Sequence, residues 1–546
     1  TVTGLTVGNH TFRVSNDVGC KSPSSANVVV TDQSATTWNG TVWSNGVPDA
    51  TKRAVFTGNA TITTQLNACS CQINSGVNVV VGVPGGTNTD AILKLENGLN
   101  VFGTGSLTFE NNASLIQVND AAVNTGTIIY KRISAAMKNL DYTYWSSPVS
   151  DQNSGPFQTL KALSPNTLFD KYFSYANGNW VTENVNNIMK PGKGYIIRTP
   201  KPGVYGMPYP ETVVMPYSQP VKFVGVPNNG LITIPSQGLA MDNLIGNPYP
   251  SPIDADSFMN ENAALIDGAL YFWTHNTPIT PSGSFYVYSS NDYATYTLTG
   301  GTGTLPAISG GTAPNGKIAA GQSFFVTTKA TGNFVFNNGM RNTADVLASG
   351  SNSQFFKMSK TKKASGVEKN RVWLNLTNSD GAFKQMLVGY ITGATNENDN
   401  LYDGISFDGN TYVDFYSVNK ESKLTIQGRA LPFDKEDKVP LGYKTTIEGT
   451  FQISIDKVDG VLANQTVFIE DNVTKAVHNL KAGPYSFTTA KGTFNDRFVL
   501  VYVDKTAVVE PPVVVNPPVV VEPPVVVEPP VVVNPPVVVE PPVAVE

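Results

Sequence analysis

From Ala54 to Val118, short apolar segments recur between Gly- and Asn-containing turns, and this spacing constrains the fold more than any other feature. The segments are Ala60–Thr64, Val77–Val81, Ile92–Leu95, Leu99–Val101, Leu107–Phe109 and Leu115–Val118. Turns at Asn74–Gly76, Asn97-Gly98 and Gly103–Gly105 separate them. Pieces this short suit β-strands and leave no room for amphipathic helices. Close, regular spacing reads first as the rungs of a two- or three-rung β-solenoid, and second as a plain sandwich. Just before it, Trp38 and Trp43, each followed by an Asn-Gly, predict a capped hairpin.

The rest of the chain carries the same signature. Aromatic residues make up 10% of it, with abundant Gly, Asn, Thr and Ser, so the whole reads as all-β and multidomain. A length of 546 residues corresponds to about three to five domains. Residues 1–34 read as the C-terminal part of an immunoglobulin-like module, with strands around a Gly8-Asn9 turn and a closing strand over Ala26–Val30. The front half of that module is expected to lie outside this sequence, and Thr1 opens no signal peptide. Residues 35–127 form the solenoid-like or sandwich domain.

Residues 128–343 read as two related β-units, a degenerate duplication. Leu140–Val149 matches Asp242–Ile253, each an apolar strand running into a Pro-containing turn and a β-branched residue. The aromatic strands Tyr172–Tyr175 and Tyr271–Thr274 follow. Each copy closes on a Gly-centred turn into a strand, Pro191–Ile197 and Ala320–Val326. Residues 344–365 read as a polar linker, a solvated loop or edge strand, with Lys357, Lys360, Lys362 and Lys363 as a basic patch in the alternative. Residues 366–505 carry nine strand-like segments and predict an antiparallel, jelly-roll-like β-sandwich.

From Glu510 the unit [Glu/Asn]-Pro-Pro-Val-Val-Val repeats every six residues, the last copy, from Glu540, carrying Ala544. Paired prolines deny it helix and central strand, so 506–546 reads as a polyproline-II linker, its repeat reaching roughly 110 Å at ~3.1 Å per residue. Its valine stripe also suits a docking partner.

Charge and cysteine usage exclude several function classes. Charged residues are only 14%, and 37 basic against 42 acidic side chains leave a net charge of −5, unlike a nucleic-acid binder. No apolar run approaches a transmembrane helix. Cys20, Cys69 and Cys71 are too few for a disulfide framework or a zinc site, and read as small buried hydrophobes. No nucleophile elbow, metalloprotease motif or phosphate loop occurs. His10, His275 and His478 are the only histidines, and each reads as a strand or turn residue. Asp254 and Asp256 form an obvious close carboxylate pair in a turn, and read as helix-capping or turn residues before catalytic ones. The chain is therefore expected to be non-catalytic.

Two binding readings remain. Glu397, Asp399 and Asp403 in one loop are hard oxygen donors at close spacing, which makes calcium the one cofactor the sequence suggests, with a solvated turn as the alternative. Aromatic residues near turns could stack on sugar rings: Tyr142, Tyr144, Trp145, Trp180, Tyr286, Tyr288, Tyr293 and Tyr296. Of these, Trp145, Trp180, Tyr288 and Tyr293 are the leading ligand-binding candidates, against the alternative that they fill sheet cores.

Several segments resemble large modular surface proteins of Flavobacterium and other Bacteroidota. They are Ile128–Arg132 with Asp141–Pro148, Pro191–Tyr195, Gly246–Ser251 and Gly492–Leu500, within roughly residues 35–505. The immunoglobulin-like end is similar to tandem repeats of gliding and surface adhesins in these bacteria. The resemblance implies export by the type IX secretion system, with that machinery as a transient partner, and an extracellular, cell-surface location. The Pro-Val repeat stands where a C-terminal sorting domain of such cargo is expected. The functional expectation is an adhesin fragment attaching to surfaces or extracellular polysaccharide. The alternatives are a carbohydrate-binding module of a glycan-capture protein or a purely structural stalk.

Overall fold

The structure, a computed structural model, describes residues 8–30, 35–150, 159–274, 279–282, 285–288, 292–304, 313–353, 368–407 and 412–504, with backbone only at 280–282 and 285–287. His275, the linker lysines and the Pro-Val repeat lie outside the described residues. Strands dominate throughout, so the chain is all-β.

At the N-terminal end, Gly8–His10 pairs antiparallel with Val28–Val30. The expected closing strand is present, but Gly8 and Asn9 lie inside a strand. The reversal sits instead at Asn16–Gly19, closed by a bond from Gly19 N to Asn16 O of 3.0 Å.

Residues 35–137 wind as a parallel solenoid with three faces. The first face stacks Ala35–Trp38, Arg53–Phe56, Ser70–Ile73 and Leu99–Val101, all parallel. The second stacks Ala60–Ile62, Asn78–Val81, Ser106–Phe109 and Ile128–Met137. The third stacks Leu66–Ala68, Ile92–Leu95 and Ser114–Gln117. Three strands per turn let alternate side chains point inward and stack rung upon rung. Ala54, Cys71 and Leu99 form one such column, and Val81, Phe109 and Tyr130 another. Trp43 bridges Trp38 and packs edge-on against Phe56 at 5.2 Å, over the first rung. Cys69 and Cys71 are buried and all three cysteines are free; Cys20 is exposed, unlike the buried hydrophobe expected.

The second face does not stop at the last rung. Ile128–Met137 continues antiparallel into Tyr217–Pro227, which pairs in turn with Val149–Ser150. The third face is also covered. Val346 packs on Ile92 and Ile116, and the buried Asn352 donates to the Ala113 carbonyl at 2.8 Å. Residues 345–353 are thus part of the folded body, because an apolar solenoid face needs a cover, where the sequence suggested a solvated linker.

The duplicated segments form two sheets of one strand order. The first runs Tyr142–Trp145, Tyr195–Arg198, Tyr172–Ala176, Asn179–Thr182. The second runs Asp242–Gly246, Ser323–Thr328, Ile266–Trp273, Tyr293–Thr297, with Gly300–Thr302 added at its edge. The copies exchange backbone contacts reciprocally about a local pseudo-two-fold. Trp145 bridges Gln322 while Lys193 bridges Ile245. Ser146 N donates to Gly321 O at 2.8 Å, and its counterpart Gly246 N donates to Gly192 O at 2.9 Å. In this register Tyr172 corresponds to Leu270 and Phe173 to Tyr271, so the two aromatic quartets are offset by one residue.

The last region is a single curled sheet with one core, sandwich-like in section. Its path is Ala476–Asn479, Phe468–Asp471, Gly492–Val501, Lys438–Thr445, Val413–Asn419, Ser422–Arg429, Phe383–Ile391, Lys369–Asn378, Gly449–Val458, Tyr485–Thr489. Gly404–Ile405 also pairs with Ser422–Arg429. All nine expected strands overlap these, and one pair, Phe383–Ile391 with Ser422–Arg429, is parallel. Curling brings Phe487 from one end within 4.7 Å of Phe498.

This sheet joins the second copy through specific bonds. Trp373 Nε1 donates to Gly301 O at 2.8 Å and Lys369 Nζ to Leu298 O at 2.7 Å. Arg371 donates to Thr299 O at 3.0 Å while paired with Asp459 at 2.6 Å.

Candidate functional site

The aromatic candidates meet between the two duplicated sheets. Trp180 and Tyr293 occupy equivalent register positions, paired with Tyr175 and Trp273 respectively. Both pack against Tyr144 and Phe325. The hydroxyls of Tyr144 and Tyr293 lie 2.6 Å apart, and burial pushes the pKa of both well above the usual phenol range. Tyr288 donates to Leu140 O at 2.9 Å and packs on Tyr142. Trp145 is fully buried against Phe223 and offers no ring face to a ligand. Tyr296 is buried, donating to Asp256 at 2.7 Å. The Tyr286 side chain lies outside the described residues. Only Trp180 keeps a substantial open surface, at 42%. The cluster is mainly the adhesive between two sheets, with one exposed corner.

The carboxylates suggested for calcium face different donors. Glu397 pairs with Lys420 on the surface. Asp399 accepts the Thr395 N–H. Asp403, almost buried, accepts Asp399 N and Gly428 N, each at 2.8 Å. Desolvation outweighs these two bonds and raises its pKa to about 7. Among the described residues, no group of three or more His, Cys, Asp or Glu side chains is placed to share a metal ion. These three side chains close their own loop, because each carboxylate finds a nearer backbone or lysine donor.

Asp254 caps the helix Ala255–Glu261, accepting Ser257 N at 2.8 Å, and pairs with Lys317 at 2.9 Å. Asp256 serves Tyr296 and Lys369. His10 lies in the first short strand, and His478 Nε2 sits 2.9 Å from the Gly483 carbonyl oxygen.

A recess that the sequence reading missed opens where the second copy meets the curled sheet. Thr295 and Thr302 form one wall as a directly opposed cross-strand pair. Tyr293, Phe383 and Phe407 supply rings, with Phe407 43% exposed and 4.5 Å from Tyr271. Gln385 is nearly buried, accepting Gly303 N at 3.0 Å and donating to Asn375 at 2.9 Å. Lys384 lies 3.5 Å from the buried carboxylate of Asp414. The lining is aromatic, hydroxyl and amide, and its ammonium is already paired. Of the candidate residues whose side chains are described, the structure brings only Tyr293 to this recess. The alternation Thr295, Thr297, Thr299 is visible in the sequence, but nothing local ties it to Gln385.

The fold and recess define a large all-β protein in which a parallel solenoid, a duplicated pair of sheets and a curled sheet share hydrogen bonds. The chain belongs to a family described as a domain of unknown function (DUF8693), whose model matches residues 30–502. No curated protein and no solved structure matches it.

Proposed function

We propose that the chain is a non-catalytic attachment protein of the bacterial cell surface, exported by the type IX system. The observation that carries this reading is the continuity of its bonding. The solenoid sheet runs into the duplicated region, the copies exchange backbone bonds, and the curled sheet is stitched to the second copy by Lys369, Arg371 and Trp373. A body joined in this way suits a protein that must hold while pulled. Low charge and the resemblance to surface proteins of Bacteroidota support the location. Deleting the coding region in the producing cell should reduce attachment to surfaces, with recovery on re-expression. Undiminished attachment, or a protein inaccessible to protease on whole cells, overturns the reading.

A second reading, glycan capture, is favoured by the chemistry of the recess. Rings with hydroxyl and amide groups match a ligand that presents both C–H faces and hydroxyls.

A further inference from the structure

We propose that the hairpin Gly203–Val213 is a docking element for an anionic lipid bilayer, its apolar tip entering the headgroup boundary. The inference goes beyond the attachment reading and stands without it, because it rests on the hairpin alone.

Gly203–Tyr205 pairs antiparallel with Glu211–Val213, and with no other strand among the described residues. Alternation gives this ribbon two faces. Tyr205 and Val213 lie on one face and pack with Met137 and Tyr217. Tyr205 also donates to Lys201 O at 2.8 Å. Val204 lies on the other face, opposite Thr212, and is 83% exposed. Met207, in the connecting loop, is 84% exposed, and Tyr209 and Val214 are exposed as well. Asn166 donates to Tyr209 O at 3.2 Å and to Glu211 at 2.7 Å, which fastens the loop carrying the exposed Phe169 to the hairpin. The seated face holds the ribbon in place. Its open face therefore presents apolar side chains to the outside, as an interaction surface does.

Charge indicates what covers this face. Residues 202–210 carry none. Glu211, the next acid along the chain, is engaged by Asn166 and Tyr217. Lys201, at the base of the hairpin, is exposed, and so is Lys138, which follows Met137 of the hairpin's seat. An uncharged apolar tip with ammonium groups at its base complements a bilayer. The acyl boundary takes Val204 and Met207, and anionic headgroups take the lysines. Tyr209 suits the headgroup level, where an amphipathic ring is half wet. A second copy of this chain fits less well. Stable protein interfaces use roughly 20–30 residues a side, and Gly203–Val213 supplies far fewer.

The test is co-sedimentation of the purified full chain with vesicles. One set contains phosphatidylcholine and phosphatidylglycerol in equal parts, the other phosphatidylcholine alone. The expected result is saturable binding to the mixed vesicles, weakened about tenfold or more by Val204→Ser combined with Met207→Ser. Both side chains are exposed, so an unchanged melting temperature verifies the fold of the variant. Lys201→Gln should also weaken binding to the mixed vesicles, as should added salt. No binding, binding indifferent to the paired serine substitution, or equal binding to both vesicle types overturns the assignment. Lipid-free self-association that the paired substitution abolishes also overturns it, and gives the face to a second copy.

Discussion

Asp403 shows how one residue can report on its surroundings. It is drawn into the body by the Asp399 and Gly428 N–H groups, and burial raises its pKa to about 7. An unfolded aspartate titrates near 3.9. Between about pH 4 and 7 the native state therefore holds a proton that the unfolded chain has released. Ionising the buried group costs stability as pH rises through that window, and the cost is fully present above pH 7. Asp403→Asn should remove this dependence. In denaturant unfolding, the variant should gain on the wild type from pH 4 to pH 8, whereas parallel curves would show that the carboxyl titrates normally. The sequence drew attention to this residue as a calcium donor, and the structure shows it accepting two backbone N–H groups. Three acidic residues in a loop suggest calcium, but spacing does not disclose that each one has a closer donor.

Elements were legible where local pattern sets them and illegible where distant packing does. The solenoid strands follow from short apolar runs between turns, and the observed strands overlap those runs. The capping role of Asp254 was likewise readable, since an aspartate three residues before a helical turn satisfies an orphan N–H. The offset between the aromatic strands was not readable. Like residues align in sequence, but only register shows that Tyr172 matches Leu270. Two glycines test how elements are joined. Gly178 sits at φ +76° in an open hairpin turn, with nothing within 4 Å of an added Cβ. Gly178→Ala should cost about 1–2 kcal/mol, the strain of the left-handed backbone. Gly268, at φ +77°, would place a Cβ only 1.0 Å from Asn400 O. Gly268→Ala must therefore displace the Asn396–Asp403 loop, and its loss in chemical denaturation should exceed that of Gly178→Ala severalfold. Equal losses would mean the two elements are not in contact.

At the scale of the molecule, the solenoid is not built to stand alone. Its second face is completed by Tyr217–Pro227, and its third is sealed by Val346 and Asn352. A fragment covering only 35–127 lacks Tyr130, Phe223 and Val346, all of which are buried in the full chain. It should lack a cooperative melting transition and bind a hydrophobic dye. A sharp transition in this fragment would contradict the shared core. These long-range closures join residues 80 or more positions apart, which is why no window of sequence displays them.

The same interdependence frames the functional account, in which one continuous body holds while attached and pulled. The most direct measurement is retention of beads coated with the full chain, under shear flow, on a surface bearing neutral polysaccharide. The account predicts retention above that of bare beads and release by the matching free oligosaccharide. Beads that wash off like bare ones, or that resist release by every neutral sugar, would contradict it.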